Sequence, residues 1–502
     1  MHCRVIAAIL SLSTLASAAS GQTPSRYAVE TLAAGVHAII YNSDLDVEGN
    51  TLIVINDDDV FVVDANAGIT TARATIAEIR KLTPKPVRYV VNTHWHDDHV
   101  YGNQAYAEAY PGVQFIAHPL TRQDIVDHAF ASNGFVLDLI AADVKRLEGY
   151  LETGKYRDGR PVEGELETRI RTYLANRREA LVDRQAFKAV VPTIDVPDTM
   201  TLKRGAREIQ VRFLGRGNTR GDLVVYLPVE RIVATGDLVV YPVPYATNVY
   251  ARDWVQTLDA VMALPATTVL PGHGPVMRDW SYVTKVKNAI VGYLAGVTEA
   301  KTQGLSLAQT QERVQLPEIR TSFVGENEPR RAGYDAFFRP TLVRNAWEEL
   351  DPAVMRAYEH APVRRFADGI YNLSAPGGAE GLTVLVNEKD VMVVTSLTIV
   401  QAAHAGVRAI RELTSKPVKH LVLTGAEAPQ KAAVAVLKGT YPEAVVSTAT
   451  TADSASSVVT EVLSVRASGR EIRIVRVKDA LVVELPSEHL RITRGGTTER
   501  QK

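Results

Sequence analysis

A short run of histidines and aspartates constrains this chain more than any other stretch. The segment Thr93–Asn103 reads THWHDDHVYGN and follows the apolar, strand-like run Val87–Val91. It contains four side chains of the kind that bind metal ions: His94, His96, Asp98 and His99. Imidazole nitrogen and carboxylate oxygen suit zinc, which prefers about four ligands. A loop that leaves a strand and presents these groups predicts a metal site, rather than a polar surface loop that happens to hold three histidines.

Two later strand ends each carry one further ligand-type residue. Asp237 follows the strand-like run Ile232–Ala234, and His273 follows an apolar pair within a Pro-Gly-His-Gly turn. Either residue alone would be a weak indication, since Gly-Asp after a strand is often a turn. After the histidine-rich segment, and in this order, they predict one shared site. If the backbone there is extended, His94 and His96 point to the same side, whereas the residues that follow turn toward a second metal.

These residues, in this order and spacing, resemble the metallo-β-lactamase superfamily over roughly residues 27–282. The resemblance implies an α/β fold, namely an αββα sandwich with the metals at one edge of two facing sheets. It also implies a glyoxalase II-like set of ligands. That set places His94 and His96 in site one, Asp98, His99 and His273 in site two, and Asp237 between the sites. Asp64, at the end of a strand, would support the ligand loop from behind.

The chain departs from the family pattern at one ligand. The family supplies a third site-one histidine in a Gly-x-x-His-Thr context, where this chain has Asn218 within Gly215–Thr219. A carboxamide oxygen is a neutral and weaker zinc ligand than imidazole. We therefore expect one tight zinc ion and a second, weaker site that holds zinc, holds a harder metal or stays empty. Arg216 and Arg220 flank Asn218 and could pair with an anionic substrate group, or instead pack against the protein or remain solvated.

The start of the sequence predicts export. Arg4 is followed by the apolar run Val5–Leu15 and by Ala16-Ser17-Ala18, a pattern typical of a signal peptide over residues 1–18 rather than of a buried helix. The mature protein would be periplasmic or secreted and not membrane-bound, and Cys3, the only cysteine, would be removed with the signal. The net charge of −1, from 56 basic and 57 acidic residues, gives no support for a nucleic-acid partner.

Two stretches have helical rather than strand-like patterns. Residues 119–189 carry apolar stripes at helical spacing and interrupt the strands, so they are expected to form an insertion in the catalytic domain. Residues 283–361 form a second helical region, in which Ser306 and Gln309 have the spacing of a capping box. The polar segment Asn327–Ala332 is expected to be a loop. The stripes favour helix–helix packing over substrate contact.

From about residue 363 the chain repeats its beginning. Thr93 aligns with Thr424, an offset of 424 − 93 = 331, and the same offset pairs Asn56 with Asn387. The repeat predicts a second, degenerate sandwich-like copy over residues 363–502, with chance similarity as the alternative. Its counterparts of the ligands are Gly425, Glu427, Pro429, Gln430 and Gly495. Such residues cannot hold zinc, so we expect this copy to pack against the catalytic domain, form a homodimer contact or shape the substrate pocket.

The predicted activity is metal-assisted hydrolysis of a small-molecule substrate. Zinc lowers the pKa of a bound water toward about 7 and so supplies hydroxide without a serine or cysteine nucleophile. Asp98 is the candidate catalytic residue that accepts and returns a proton. The substrate would be a small ester, lactone, thioester or amide, a set that includes β-lactams, and Tyr245 is expected to border the site. The alternative is a metal-binding scaffold or pseudo-enzyme of the same fold.

Overall fold

The computed structural model describes fourteen stretches of the chain. They are residues 25–42, 48–130, 133–325, 327–351, 363–374, 381–395, 400–424, 436–448, 456–458, 462–467, 470–477, 480–486, 490–492 and 498–500. The chain divides into two compact units, one formed by Ala7–Ala129 with Leu137–Leu350 and the other mainly by Asp351–Lys502. The expected signal peptide lies outside the described residues. None of the described helices is long and apolar enough to span a bilayer.

The first unit contains a seven-stranded sheet whose strands follow one another in sequence order. Its strands are β1 (Tyr27–Ala33), β2 (Val36–Tyr41), β3 (Thr51–Ile55), β4 (Val60–Val63), β5 (Val87–Val91), β6 (Gln114–Ala117) and β7 (Ile194–Asp195). β1 to β4 pair antiparallel, and β4 to β7 pair parallel. Parallel neighbours need crossover connections. These are α1 (Ile69–Leu82) before β5, and α2 (Asp97–Val100) with α3 (Asn103–Ala109) before β6.

A five-stranded sheet of the order β12-β11-β10-β9-β8 forms the other half of this unit. Its strands are β8 (Thr199–Arg204), β9 (Arg207–Phe213), β10 (Leu223–Leu227), β11 (Ile232–Ala234) and β12 (Thr268–Leu270). All neighbours are antiparallel except β11 and β12, which α7 (Ala251–Met262) connects as a parallel pair. In the first sheet β5 ends shortly before His94, and in the second sheet β11 and β12 end shortly before Asp237 and His273. Both sheets therefore contribute residues to the predicted site.

Successive side chains along a strand point to opposite faces of its sheet, and in both sheets the two faces are buried against different neighbours. In β3, Val54 packs into a cluster shared by both sheets, whereas its neighbour Ile53 packs under Ile76 of α1. In β10, Val225 faces the shared cluster and Val224 faces Trp254 of α7. The order is therefore helix, sheet, sheet, helix, and the αββα sandwich predicted for this part of the chain is confirmed.

The insertion between β6 and β7 is helical. It consists of α4 (Pro119–Asp124), a π-helical turn (Ile125–Phe130), α5 (Asn133–Thr153) and α6 (Gly164–Gln185). It has a small core of its own, formed by Leu147, Tyr156, Ile170, Tyr173 and Leu174. The helical pattern that interrupts the strands in the sequence thus corresponds to helices that cluster among themselves.

The helical region after β12 shares a core with the outer face of the five-stranded sheet. Its elements are α8 (Ser281–Thr302), α9 (Leu307–Arg313), α10 (Pro317–Val324), α11 (Glu328–Gly333), a π-helical turn (Tyr334–Phe338) and α12 (Arg339–Glu349). The capping box of Ser306 and Gln309 is present. The loop expected over Asn327–Ala332 was wrong, because the Asn327 side chain accepts a hydrogen bond from the Arg330 N–H and proline follows in the first turn, a combination that starts a helix.

The second unit again contains a seven-stranded and a five-stranded sheet. The larger sheet consists of β13 (Val363–Ala367), β14 (Ile370–Ser374), β15 (Gly381–Val386), β16 (Val391–Thr395), β17 (Val418–Leu423), β18 (Val445–Thr448) and β19 (Ser456–Val458). The smaller sheet consists of β20 (Val462–Ala467), β21 (Arg470–Val477), β22 (Ala480–Leu485), β23 (Leu490–Ile492) and β24 (Thr498–Arg500). One helix, α13 (Val400–Leu413), lies between β16 and β17 in sequence. These additional sheets confirm the predicted fold class.

Element bounds and contacts repeat between the two units. α1 starts at residue 69 and α13 at residue 400, which is the offset of 331 seen in the sequence. The Asn56 side chain donates to Asp59 at 2.8 Å, and the Asn387 side chain donates to Asp390 at 2.8 Å. Lys85 donates to the Asn56 carbonyl as Lys416 does to that of Asn387, both at 2.7 Å. The same turn is thus fastened by the same three side chains in both units.

The last strands of the two units differ. β24 pairs antiparallel with β23, whereas β12 pairs parallel with β11. The crossover helix α7 separates β11 from β12, but only five residues separate β23 from β24, too few for a parallel crossover. The predicted counterparts of the metal ligands, Gly425, Glu427, Pro429, Gln430 and Gly495, lie outside the described residues.

Candidate metal centre

The first ligand group forms where β5 ends. His94 and His96 follow β5, and His94 Nε2 lies 2.9 Å from His96 Nδ1. Asp237, in the turn after β11, places Oδ2 at 3.6 Å from His94 Nε2 and 3.8 Å from His96 Nδ1. One nitrogen or oxygen atom from each of these three buried residues therefore points to a common point.

The second ligand group lies beside the first. Asp98 and His99 belong to the short helix α2, and His273 follows β12. His273 Nε2 lies 2.9 Å from Asp98 Oδ2, and His99 Nε2 lies 3.5 Å from the same oxygen. The two groups together contain all six histidine and aspartate ligands that the sequence indicated.

Asp237 reaches both groups. While its Oδ2 faces His94 and His96, its Oδ1 lies 3.3 Å from His99 Nε2 and 3.4 Å from His273 Nε2. A carboxylate with one oxygen on each side has the geometry of a bridge between two cations. The neighbouring turn permits no side chain at Gly272, because a Cβ there would lie 2.1 Å from Asp237 Oδ1.

Asp64 supports the ligand loop from behind. It accepts hydrogen bonds from the Thr93 N–H at 2.8 Å and from the Thr93 hydroxyl at 2.9 Å. Its Oδ2 also lies 2.8 Å from His99 Nδ1. A carboxylate only accepts, so His99 keeps a proton on Nδ1, and Nε2, which faces Asp98 and Asp237, is the atom that a bound metal ion would contact. The supporting role implied for Asp64 is thus matched by its contacts.

Opposing effects of burial and charge act on these groups. Burial, reinforced by the neighbouring His99 and only partly offset by Asp237, lowers the pKa of His94 to about 4, so this imidazole is neutral at pH 7. Burial also opposes the charged form of His99, but the carboxylates of Asp98, Asp64 and Asp237 outweigh it and raise the pKa of His99 well above its usual value. Burial likewise opposes ionisation of Asp237, yet the surrounding histidines hold its pKa well below normal. The carboxylate of Asp237 is therefore anionic and able to bind cations.

Asn218 lies where a third site-one ligand was expected. Its Nδ2 donates to the Tyr245 carbonyl at 3.0 Å, whereas its Oδ1 is buried without a hydrogen-bond partner. The backbone at this position is fixed by Asp222, which accepts from the N–H groups of Gly217 at 3.0 Å and Thr219 at 2.9 Å. Burial raises the pKa of Asp222 to about 6. Only the carboxamide oxygen of Asn218 is left to interact with a cation.

Several buried polar atoms of the site lack hydrogen bonds. They are His96 Nε2, His99 Nε2, Asp237 Oδ1 and Asn218 Oδ1. Buried polar atoms are nearly always satisfied by hydrogen bonds or by a bound ion, so a cluster of exceptions marks a place for a ligand. Together with the imidazole and carboxylate donors, they fit one or two divalent cations of the zinc type.

The two arginines next to Asn218 are engaged within the chain. Arg216 Nε donates to Asp253 at 2.6 Å. Arg220 forms a two-pronged pair with Asp124, at 2.8 Å and 2.6 Å. Of the two roles that the sequence left open for them, contact with an anionic substrate is therefore the less favoured.

Two residues that position the ligands were not predicted from the sequence: Asn50, which contacts the turn carrying His273, and Gly49, which leaves room for the ring of His99. The Asn50 side chain donates to the carbonyls of Pro271 at 3.0 Å and Gly274 at 2.8 Å, and so clamps the turn that carries His273. A Cβ at Gly49 would lie 2.6 Å from the ring of His99. Both residues come before β3, far from the motif in sequence, and a Gly-Asn pair there signals only a turn.

A sequence profile of the metallo-β-lactamase superfamily matches residues 45–273. Among curated proteins, the linear primary-alkylsulfatase of Pseudomonas sp. (strain ATCC 19151) is 23% identical over 294 residues, which cover 56% of this chain and 50% of the relative. The chain thus spans about half the length of that relative.

Solved structures of similar proteins are metallo-β-lactamases. The enzyme from Pontibacter korlensis is 19% identical, with a TM-score of 0.38, and the match covers 53% of this chain and 98% of that one. The DIM-1 metallo-β-lactamase is 18% identical, with a TM-score of 0.35, covering 53% and 97%.

The profile match and the ligand groups define the class of this domain. Residues 45–273 form a domain of the metallo-β-lactamase superfamily, whose members are hydrolases. This domain contains the helical insertion described above and asparagine at position 218.

Proposed function

We propose that this protein is a metal-dependent hydrolase of a small ester, lactone, thioester or amide. The observation that carries the proposal is the pair of buried ligand groups that share Asp237. An accidental cluster of acidic and basic groups would satisfy its own hydrogen bonds, whereas here His96 Nε2 and Asn218 Oδ1 are buried without one. The relative's hydrolytic activity supports the same reaction class.

Six side chains would hold the metal, and their donors favour zinc. They are His94, His96 and Asp237 on one side, and Asp98, His99 and His273 on the other. Held by these residues, a zinc ion would supply an activated water and would polarise the bond to be cleaved. Asp98 is held ionised, because burial is outweighed by His99 and His273, which keep its pKa well below normal. It is therefore suited to accept the proton of the attacking water and to return it to the leaving group.

Occupancy of the two sites is expected to be unequal. Site two has two imidazoles and a carboxylate, besides the shared Asp237. Site one has two imidazoles and, at the third position, only the neutral oxygen of Asn218. We propose one tight zinc ion per chain, and a second that is bound more weakly.

Sulfate-ester hydrolysis is a second candidate, because the curated relative is a linear primary-alkylsulfatase. A sulfate ester, like a carboxylic ester, offers an oxygen that a cation can polarise and an alkoxide leaving group that needs a proton. The same residues would therefore serve both reactions.

Zinc-loaded protein assayed on a panel of substrates tests the proposal. The panel comprises chromogenic esters, lactones, a cephalosporin and an alkyl sulfate, with metal content measured on the same sample. Turnover that disappears in the metal-free protein and returns with zinc is the expected result. Tight zinc binding without turnover on any class would instead support the metal-binding scaffold, and failure to bind zinc would reject the site.

A further inference from the structure

Two π-helical turns place rings beside the metal centre. Within the described part of the first unit these turns are Ile125–Phe130, in the insertion, and Tyr334–Phe338, in the helical region after β12. His128 of the first turn packs against Trp95 with ring centroids 5.2 Å apart, and Phe337 of the second packs against Tyr245 at 5.9 Å. Short π-helical segments occur often at functional sites.

Trp95 and Tyr245 also both pack against His96, a predicted metal ligand. The ring of Trp95 lies 4.6 Å from that of His96, and the ring of Tyr245 lies 5.5 Å from it at an interplanar angle of 89°. His96 thus has an aromatic ring on two sides, and these rings come from separate parts of the chain. Trp95, Tyr245 and Phe337 are hereafter called the aromatic wall.

The aromatic wall is only partly buried, which separates it from the hydrophobic core. Trp95, Tyr245 and Phe337 are all half-buried. By contrast, the adjacent Phe338 is completely buried and packs against Tyr334, with centroids 5.2 Å apart. Two neighbouring phenylalanines in the same turn therefore face different surroundings, and only Phe338 is needed to fill the core.

The backbone around the wall is fixed by hydrogen bonds. The Ala246 N–H donates to the Phe337 carbonyl at 3.0 Å, and the Asn345 side chain donates to the Ala246 carbonyl at 3.1 Å. On the other side, the Asn218 side chain donates to the Tyr245 carbonyl at 3.0 Å. The helical region is thus tied directly to the loop that borders the metal centre, and Phe337 is held beside Tyr245.

We propose that the aromatic wall binds an aromatic group of the substrate next to the metal centre, and so makes Phe337 a residue that determines specificity. The inference rests on the proposed function, because it assumes that the reacting bond lies at the metal ligands. Ring–ring contacts favour an aromatic group over an aliphatic one of similar size, since edge and face carry opposite partial charge. The three side chains of the aromatic wall carry no charge, so they favour an uncharged, apolar group over a charged one.

Binding of thiols to the cobalt-loaded protein tests this inference without requiring turnover. Benzyl mercaptan and cyclohexylmethanethiol share the metal-binding sulfur and are similar in size, but only the first has an aromatic ring, and the sulfur-to-cobalt absorption band reports binding of either. We expect benzyl mercaptan to bind at least about 10-fold more tightly than cyclohexylmethanethiol. Phe337→Ala should reduce that preference by about 3- to 10-fold, the size of an aromatic pair contact, and Phe337→Tyr should retain it.

The control is Phe338→Leu, which disturbs the core of the same turn but not the wall. It should lower thermal stability and leave the thiol preference unchanged. Equal affinity for the two thiols, or an unchanged preference in a folded Phe337→Ala variant, would overturn the inference. A protein that binds no cobalt would contradict the proposed function instead, so the two failures are distinguishable.

Discussion

Replacing Asp64 with asparagine should weaken metal binding while leaving every metal ligand in place. Asp64 accepts three hydrogen bonds, two from Thr93 and one from His99 Nδ1. Asparagine keeps the size of the side chain and one accepting oxygen, but its second atom becomes an N–H donor. That donor would face His99 Nδ1, so the imidazole proton would move to Nε2, the atom that must bind the metal.

The size of the effect follows from this change of tautomer. Loss of a residue that orients a metal ligand typically lowers affinity about 10- to 100-fold. That range corresponds to about 1.4–2.8 kcal/mol of binding free energy. We expect Asp64→Asn to lie at its upper end, because the substitution both removes a negative charge beside His99 and protonates the ligand atom. Competition of the metal-free protein with a chromophoric zinc chelator measures the difference.

Asp59→Asn is a matched control. Asp59 and Asp64 flank the same strand, β4, and both are 2% exposed. Asp59, however, contacts Asn56 and Arg204 and none of the ligands. Its variant should lose stability toward urea but keep the zinc affinity of the parent protein within about 2-fold, well below the 10-fold threshold expected of an orienting residue. If Asp64→Asn also binds zinc within that margin, the tautomer argument is refuted.

Three further predictions concern the ligands and a buried carboxylate. His99→Ala and Asp237→Ala should each abolish hydrolysis of any substrate found in the panel, and turnover near that of the parent in either folded variant would reject the proposed site. Asn218→His should tighten the second zinc equivalent in a metal titration, whereas two equally tight equivalents in the parent would contradict the proposed asymmetry. Glu349, which accepts from the N–H groups of Ala251 and Arg252, has its pKa raised to about 7 by burial. Because the folded protein binds this proton more tightly than the unfolded chain does, the stability that Glu349 contributes falls as the pH rises from about 4.5 to 7. The free energy of unfolding of Glu349→Gln, relative to that of the parent protein, should therefore be up to about 3 kcal/mol more favourable at pH 8 than at pH 5. Urea unfolding at both pH values measures this, and a pH-independent difference would contradict it.

The sequence predicted those strands and helices whose apolar residues are regularly spaced. The strand-like runs Val87–Val91 and Ile232–Ala234 form β5 and β11 with the same bounds. Apolar alternation and turn residues are local signals, which is why they sufficed. The six ligands could be grouped because they follow strand ends that share one edge of the sandwich.

Other features could not be read from local pattern. Asn50 clamps the His273 turn across more than 220 residues, and Phe337 meets Tyr245 across more than 90, so neither contact leaves a local signal. The start of α11 was missed because Asn327 and the proline after it were interpreted as loop residues, although the same residues cap helices. Patterns of this kind describe a boundary without specifying which side is helical.

The second unit shows what happens to the supporting carboxylate when no metal ligand needs it. At the offset of 331, Asp64 corresponds to Thr395, which is fully buried. The carbonyl of Thr395 accepts from the Thr424 N–H at 3.0 Å and from its hydroxyl at 3.2 Å. Backbone oxygen thus satisfies the groups that a carboxylate satisfies in the first unit. The apolar faces are retained nevertheless: Val54 and its counterpart Leu385 each pack between two sheets.

Thr395→Asp tests whether that loss was required for stability. An aspartate at this buried position would have no imidazole partner among the described residues, and burying an unpaired charge is strongly unfavourable, so the free energy of unfolding should fall by about 2 kcal/mol or more at pH 7. Because burial raises the pKa of such a carboxyl, the deficit should shrink as the pH is lowered toward 4. Thr395→Asn, which has the same size without the charge, should be affected less and show no pH dependence. Urea unfolding at both pH values measures the difference, and a Thr395→Asp variant as stable as the parent at pH 7 would show that this position tolerates a carboxylate whether or not a histidine faces it.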